Sequence, residues 1–171
     1  MKITLFPVDT EDFDAVYGEL EKIFPKCEYR PRNAAKNLIN NGTYKLWHIQ
    51  INDTRVGFVG IWELSDFVFI EHLATYESYR NLGFGAACLN ELEKQYGKII
   101  LEAEPPESDI QKRRISFYER CGFNRNSIEY FQPSYTKNGA PVPLILLSFP
   151  EALSEPNECV KRIYETVYKI N

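Results

Sequence analysis

The stretch Tyr79–Cys88, YRNLGFGAAC, concentrates more potential chemistry than any other ten residues of the chain. Arg80 and Asn81 precede two glycines one residue apart, Gly83 and Gly85, and small side chains follow where a helical pattern begins. Glycine is the costliest residue to order, so a pair at a helix entrance needs a physical reason. A helix N-terminus presents unpaired backbone N–H groups and a partial positive charge. Glycines there let a phosphate approach the backbone, and Arg80 adds a charged fork. The loop therefore reads as a phosphate or pyrophosphate cradle, with a ligand-free tight turn as the competing reading. The nucleotide pattern Gly-x-x-x-x-Gly-Lys-Ser/Thr is absent. The dinucleotide pattern Gly-x-Gly-x-x-Gly would need glycine where Cys88 stands, although Glu102 and Glu104 follow at about the distance of its acidic residue.

Four further residues could take part in proton chemistry. Glu71 lies in the apolar run FVFIEHLA, where strand alternation puts it on one face with Phe67, Phe69 and Leu73. A carboxylate there costs energy unless paired or used. Burial would raise its pKa toward neutrality, as suits a general base; a structural ion pair is the alternative. The same alternation turns His72 to the opposite face, as a hydrogen-bonded core histidine. Glu102 and Glu104 share a face of the next strand and suit either a cationic substrate or a base.

These residues need elements to hold them. KITLFPV reads as a first strand, and DTEDFDAVYGELEKIF as a helix with Phe13, Val16, Leu20 and Phe24 at helical spacing. Pro25 ends it, and RPRNAAKNLIN forms a second helix closed by Asn41-Gly42. YKLWHIQI and RVGFVGIWEL flank a hairpin turn at Asn52-Asp53. DFVFIEHLAT is a strand whose start is apolar on both faces, hence central. After the glycine loop come the helix AACLNELEKQY and the strand KIILEAE. Ser108 and Gln111 form a capping box for the helix IQKRRISFYERC, and Gly122 closes it. FNRNSIEYF and PLILLSF are late strands, and NECVKRIYETVYKI is a last amphipathic helix at the end of the 151–171 extension. The order predicts one mixed α/β domain over 1–171 on a single sheet, without the strict alternation of a doubly wound fold.

Composition narrows the partners. The net charge of −4 argues against bulk binding to nucleic acid or anionic lipid. No segment is long and apolar enough to span a membrane, and the N-terminus turns acidic too early for a signal peptide, so a cytoplasmic location is expected. Cys27, Cys88, Cys121 and Cys159 are scattered, which predicts buried reduced thiols and no metal site.

Two signatures, taken in order, carry a resemblance. Arg80-Asn81-Leu82-Gly83-Phe84-Gly85-Ala86 stands between a strand and a helix, and Phe117-Tyr118-Glu119-Arg120-Cys121-Gly122-Phe123 ends a later helix. Over about residues 43–149 the sequence resembles the GNAT family of N-acetyltransferases, enzymes that move an acetyl group from acetyl-CoA to an amine. The resemblance implies a mostly antiparallel mixed sheet, splayed at the acetyl-CoA site and flanked by helices. It implies that the amides of Leu82, Gly83, Phe84, Gly85 and Ala86 bind the pyrophosphate beside Arg80 and Asn81. Leu73, Ala74 and Thr75 would pair with the pantetheine arm, and Tyr118 would be the acid for the leaving thiolate and a cofactor contact. Glu71 takes the position of a base on the central strand. Gln111 stands where such proteins often carry an asparagine that touches the cofactor arm. Glu102 and Glu104, with Tyr130 and Tyr135 from the loop between the last strands, would face a small cationic amine. A protein N-terminus or lysine is the alternative acceptor, and a non-catalytic acetyl-CoA sensor the alternative function. The last helix packs on the sheet or forms a homodimer surface.

Overall fold

The computed structural model describes residues 2–169. Ile170, at the end of the expected last helix, lies outside them, as do Met1 and Asn171. Strands β1 (Thr4–Pro7), β2 (Lys45–Ile51), β3 (Thr54–Glu63) and β4 (Val68–Thr75) form an antiparallel meander. The turn between β2 and β3 falls at Asn52-Asp53, with Asn52 at φ 51°, a conformation asparagine tolerates better than most residues. β5 (Ile99–Ala103) runs parallel to β4, and β8 (Val142–Phe149) is antiparallel to β5. The short β6 (Asn124–Arg125) and β7 (Tyr130–Gln132) both pair with β8.

One continuous strand was expected over FNRNSIEYF, but the chain bends between β6 and β7. The buried Asn126 side chain causes the bend: it donates to Leu146 O at 3.2 Å and accepts from Leu153 N at 2.7 Å. A side chain that bonds neighbouring backbone in this way competes with a strand ladder.

Helices cover both faces. Phe13, Val16 and Leu20 of α1 (Phe13–Ile23) pack with Phe58, Trp62, Phe69 and Leu146 on one face. Cys159 and Ile163 of α5 (Pro156–Ile163) join the same cluster. Cys88, Leu89 and Leu92 of α3 (Phe84–Tyr96) and Ile115 of α4 (Asp109–Arg120) cover the other, against Val59, Ile61, Val68, Ile70 and Leu101. α2 (Arg32–Asn40) buries no residue fully. The expected single last helix divides: α5 stops at Ile163 and a wider π-type turn, Tyr164–Tyr168, follows. The thiols are free, but Cys27 is exposed and Cys121 only half-buried, so the expectation of four buried cysteines holds for Cys88 and Cys159 alone.

Two irregularities prepare the centre. β4 and β5 pair only from Val68 to Ile70 and from Ile99 to Leu101, after which they part. Opposite β3, Ile61 pairs with Ile70 but Gly60 pairs with His72, so Glu71 is an extra, bulged residue. A bulge re-aims the side chains after it.

Candidate active site

The glycine loop has the backbone its sequence suggested. Asn81 (φ 62°) and Gly83 (φ 85°) are left-handed, and Gly83 caps the N-terminus of α3. The first-turn N–H groups of α3 border a groove of about 650 Å³ between β4 and α4, lined by Leu73–Thr75, Gly83–Ala86 and Tyr118 among others. Gly85 also serves packing: a Cβ there would stand 3.3 Å from the Phe117 ring, tighter than ordinary contact. Leu82 is 54% exposed and is not part of the groove lining. Arg113, Arg114 and Arg120 of α4 line it together with Arg80, so one groove carries four guanidinium groups and a helix N-terminus. The three α4 arginines were not read as site residues; their signal was their spacing around Phe117 and Tyr118 on one helix.

A second cavity of about 510 Å³ lies on the other side of the β4 end. It shares Leu73, Ala74, Thr75, Arg80, Arg114 and Tyr118 with the groove. Tyr118 is buried where the two meet, and burial pushes its phenol up to about 12. The inner part of this cavity carries Glu28, Glu71, His72, Glu102 and Gln132. Ile23, Phe24 and the exposed Ile110 also line it.

The bulge overturns two expectations about β4. His72 does not face away from Glu71; both line this cavity, while Leu73 packs with the opposite cluster. Glu71 is not a carboxyl raised by burial. It forms an ion pair with Arg30 and accepts hydrogen bonds from Trp62 Nε1 at 2.9 Å and from the Tyr135 hydroxyl. Burial alone would raise its pKa, but the guanidinium and the donors outweigh that and hold it below the usual carboxylate value. Arg30 itself is boxed by the Tyr135 and Trp62 rings, at 4.6 and 4.9 Å from their centroids. Tyr135 therefore stands behind Glu71, outside the cavity lining.

His72 is buried with both ring nitrogens engaged, Nδ1 with the Tyr44 hydroxyl at 3.2 Å and Nε2 with the Glu28 carbonyl at 2.9 Å. Desolvation lowers its pKa, so the ring is neutral. Glu102 receives two phenols, Tyr130 on Oε2 and Tyr168 on Oε1, each at 2.6 Å. Among the described residues no cation offsets its burial, and the carboxyl is pushed up to about 8. Glu104 pairs with Arg114 at 2.6 Å and does not line the cavity. Gln111 completes the capping box expected with Ser108, accepting from Ser108 N at 2.8 Å, and its amide donates to Glu104 at 3.3 Å. Its side chain is thus committed to the helix end and borders neither cavity. Arg30, Gln132 and Glu28 were missed in the sequence; nothing local marks them, since their partners lie far along the chain. Among the described residues no cluster of His, Cys, Asp or Glu is arranged to hold a metal ion, and no helix is long and apolar enough to cross a membrane.

A sequence model of the acetyltransferase (GNAT) family matches residues 13–123. A protein from Bacteroides thetaiotaomicron, described as a GNAT-family acetyltransferase, superposes with a TM-score of 0.90 at 27% identity, over 100% of both chains. An aminoglycoside 6'-N-acetyltransferase complexed with coenzyme A gives a TM-score of 0.61 at 20% identity, over 86% of this chain and 96% of that one. The ribosomal-protein-S18-alanine N-acetyltransferase of Escherichia coli gives 0.58 at 21% identity, over 90% and 96%. These last two likenesses show the fold alone. No curated protein sequence matches the chain.

Proposed function

Since the chain belongs to the GNAT family and is an acetyl-CoA-dependent acyltransferase, we propose that it acetylates a primary amine of a small cationic molecule, by direct attack within a ternary complex. One observation carries this reading: an arginine-lined groove and a carboxylate-lined cavity meet at Tyr118 and the free end of β4.

Acetyl-CoA lies in the groove, its pyrophosphate on the first-turn N–H groups of α3, with Arg80, Arg113 and Arg120 supplying charge. The edge of Leu73–Thr75 that faces away from β3, where pairing with β5 has ended, receives the pantetheine arm as an added strand. The thioester then stands beside Tyr118. The acceptor enters the second cavity, where Glu28 favours a cation, Glu102 offers a polar carboxyl, and Ile23, Phe24 and Ile110 accept a hydrocarbon stem.

The neutral amine attacks the thioester carbonyl carbon. A C–N bond forms, the C–S bond breaks, and the electron pair leaves on sulfur. Tyr118, whose phenol stays protonated at neutral pH, donates a hydrogen bond to that sulfur. Glu71, already neutralised by Arg30, supports the cavity wall and does not titrate as the base. Free thiols and a nucleotide-linked acetyl donor point to the cytoplasm as its place of work.

Two measurements test this. Titration calorimetry with acetyl-CoA should show one saturable site. Thiol release should depend on an added amine, with spermidine, an aminoglycoside and an alanine-led peptide as the panel. Tyr118→Phe should lower kcat about 100-fold while acetyl-CoA affinity is retained. Binding without turnover on any amine would leave an acetyl-CoA sensor instead. An unchanged kcat in Tyr118→Phe would remove that residue from the reaction.

A further inference from the structure

The short 3-10 turn Lys26–Glu28, between α1 and α2, is anchored out of proportion to its length. Gln132, 1% exposed, donates its amide to the Cys27 carbonyl at 2.9 Å. His72, 4% exposed, donates to the Glu28 carbonyl at 2.9 Å, and its other nitrogen is fixed by Tyr44. Tyr44 in turn fits over Gly60, where a Cβ would fall 1.6 Å from its hydroxyl oxygen. Two buried polar side chains from β4 and β7 thus hold successive carbonyls of one turn, and both also line the acceptor cavity. A buried donor satisfied this way fixes its partner's position at the cost of its own freedom. What the anchoring places at the cavity is the Glu28 side chain, which no hydrogen bond among the described residues occupies.

We propose that Glu28 is the general base that takes the proton from the acceptor ammonium, and that His72 and Gln132 are its positioning residues. This rests on the transferase reading above. The proton passes from R–NH3+ to the Glu28 carboxylate; the freed amine attacks the thioester. The amide and coenzyme A thiol form, Tyr118 serving the sulfur, and Glu28 returns a proton to solvent. The balance is ammonium plus acetyl-CoA giving acetamide, free thiol and one proton.

The surroundings suit the task. Glu104 after β5 and Arg114 on α4 face Glu28 with opposite charges, and Glu102 on β5 shares the cavity. Lys22 of α1, Arg80, Glu71 with its Arg30, and neutral His72 complete the charged lining. Burial and Glu104 together push Glu28 up to about 7, against the pull of Arg114. Glu102 sits higher and each of its oxygens already accepts a phenol, whereas no hydrogen bond among the described residues occupies the Glu28 carboxyl.

The test uses spermidine as acceptor and reads thiol release against pH, with acetyl-CoA affinity measured separately. Wild type should lose kcat/KM as pH falls below about 7, because the base protonates. Glu28→Gln should lower kcat at least about 100-fold, abolish that limb and leave acetyl-CoA affinity unchanged. Gln132→Leu should lower kcat about tenfold and displace the limb in wild type, yet have no further effect in Glu28→Gln. An active wild type whose Glu28→Gln variant keeps its kcat and its pH limb overturns the assignment of the base alone. A folded wild type that acetylates neither spermidine nor the other panel amines overturns the transferase reading, and the base with it. A Gln132→Leu loss of equal size in both backgrounds would make Gln132 merely structural.

Discussion

Glu71 and Glu102 stand at the first positions of β4 and β5 beyond the last parallel pair, Ile70 with Leu101. They are the same residue type and next to one another in the sheet; Glu71 is buried, Glu102 is half-buried, and both line the second cavity. Their charge states differ in opposite directions. Glu71 is held below the usual carboxylate value, and Glu102 is pushed up to about 8. The difference is the partner: a guanidinium and two N–H or O–H donors on Glu71, two phenols and no cation on Glu102. Burial sets the size of the penalty for charge; the neighbour decides whether it is met. Where β4 and β5 part, the centre therefore has one fixed anion and one carboxyl that is neutral at pH 7.

The most severe way to break this contrast is Arg30→Met. It strands the Glu71 charge in the interior, which costs about 3–5 kcal/mol, or roughly 10 °C in Tm for a chain of this size. Thermal unfolding should show it, with partial recovery in the double variant Arg30→Met/Glu71→Gln. A Tm within about 1 °C of wild type would mean that Arg30 does not carry the Glu71 charge.

A smaller effect comes from Glu102→Gln and is best read as a slope. Glu102 binds its proton more tightly folded than unfolded, so its contribution is complete below the usual carboxylate pKa and is lost as pH rises through about 8. The variant should gain on wild type by up to about 1.4 kcal/mol per pH unit across that window, and the gain should level off above it. Glu71 has the reverse sign: its stabilisation is present at neutral pH and fades as pH falls below the usual carboxylate range. Denaturant melts from about pH 2 to 9 would separate the two slopes, and a flat difference for Glu102→Gln would show that the carboxyl is already ionised.

The smallest effect belongs to Tyr168→Phe, which sharpens the contrast. It removes one of the two phenols that favour the ionised form, at a cost of about 1 kcal/mol, and should move the Glu102 titration further up. A downward move would mean that the phenol instead supports the protonated acid.

Much of the fold was legible because its signals are local. The cradle Arg80–Ala86, the Ser108–Gln111 capping box and the Gly122 helix end depend on residues within a turn of one another. The apolar periodicity of α1, α3 and β4 likewise reports only which faces are covered. The same locality misled where a tertiary irregularity intervened. Strict alternation put Glu71 and Leu73 together and His72 opposite, and one bulged residue across from Gly60 reversed that. Gln111 fitted both a capping role and a cofactor contact by position; its side chain bonds Ser108 N and Glu104 at the helix end.

The sequence by itself determined most of the element order and the glycine turn that opens α3, since these follow from spacing and short-range hydrogen bonding, and its two signatures carried the resemblance to the family. The tertiary structure alone decided which carboxylate carries charge and which can exchange a proton. Arg30 lies 41 residues from Glu71, and Tyr168 lies 66 from Glu102. A pKa is a sum over whatever the fold brings within a few ångströms, and no spacing along the chain encodes that sum.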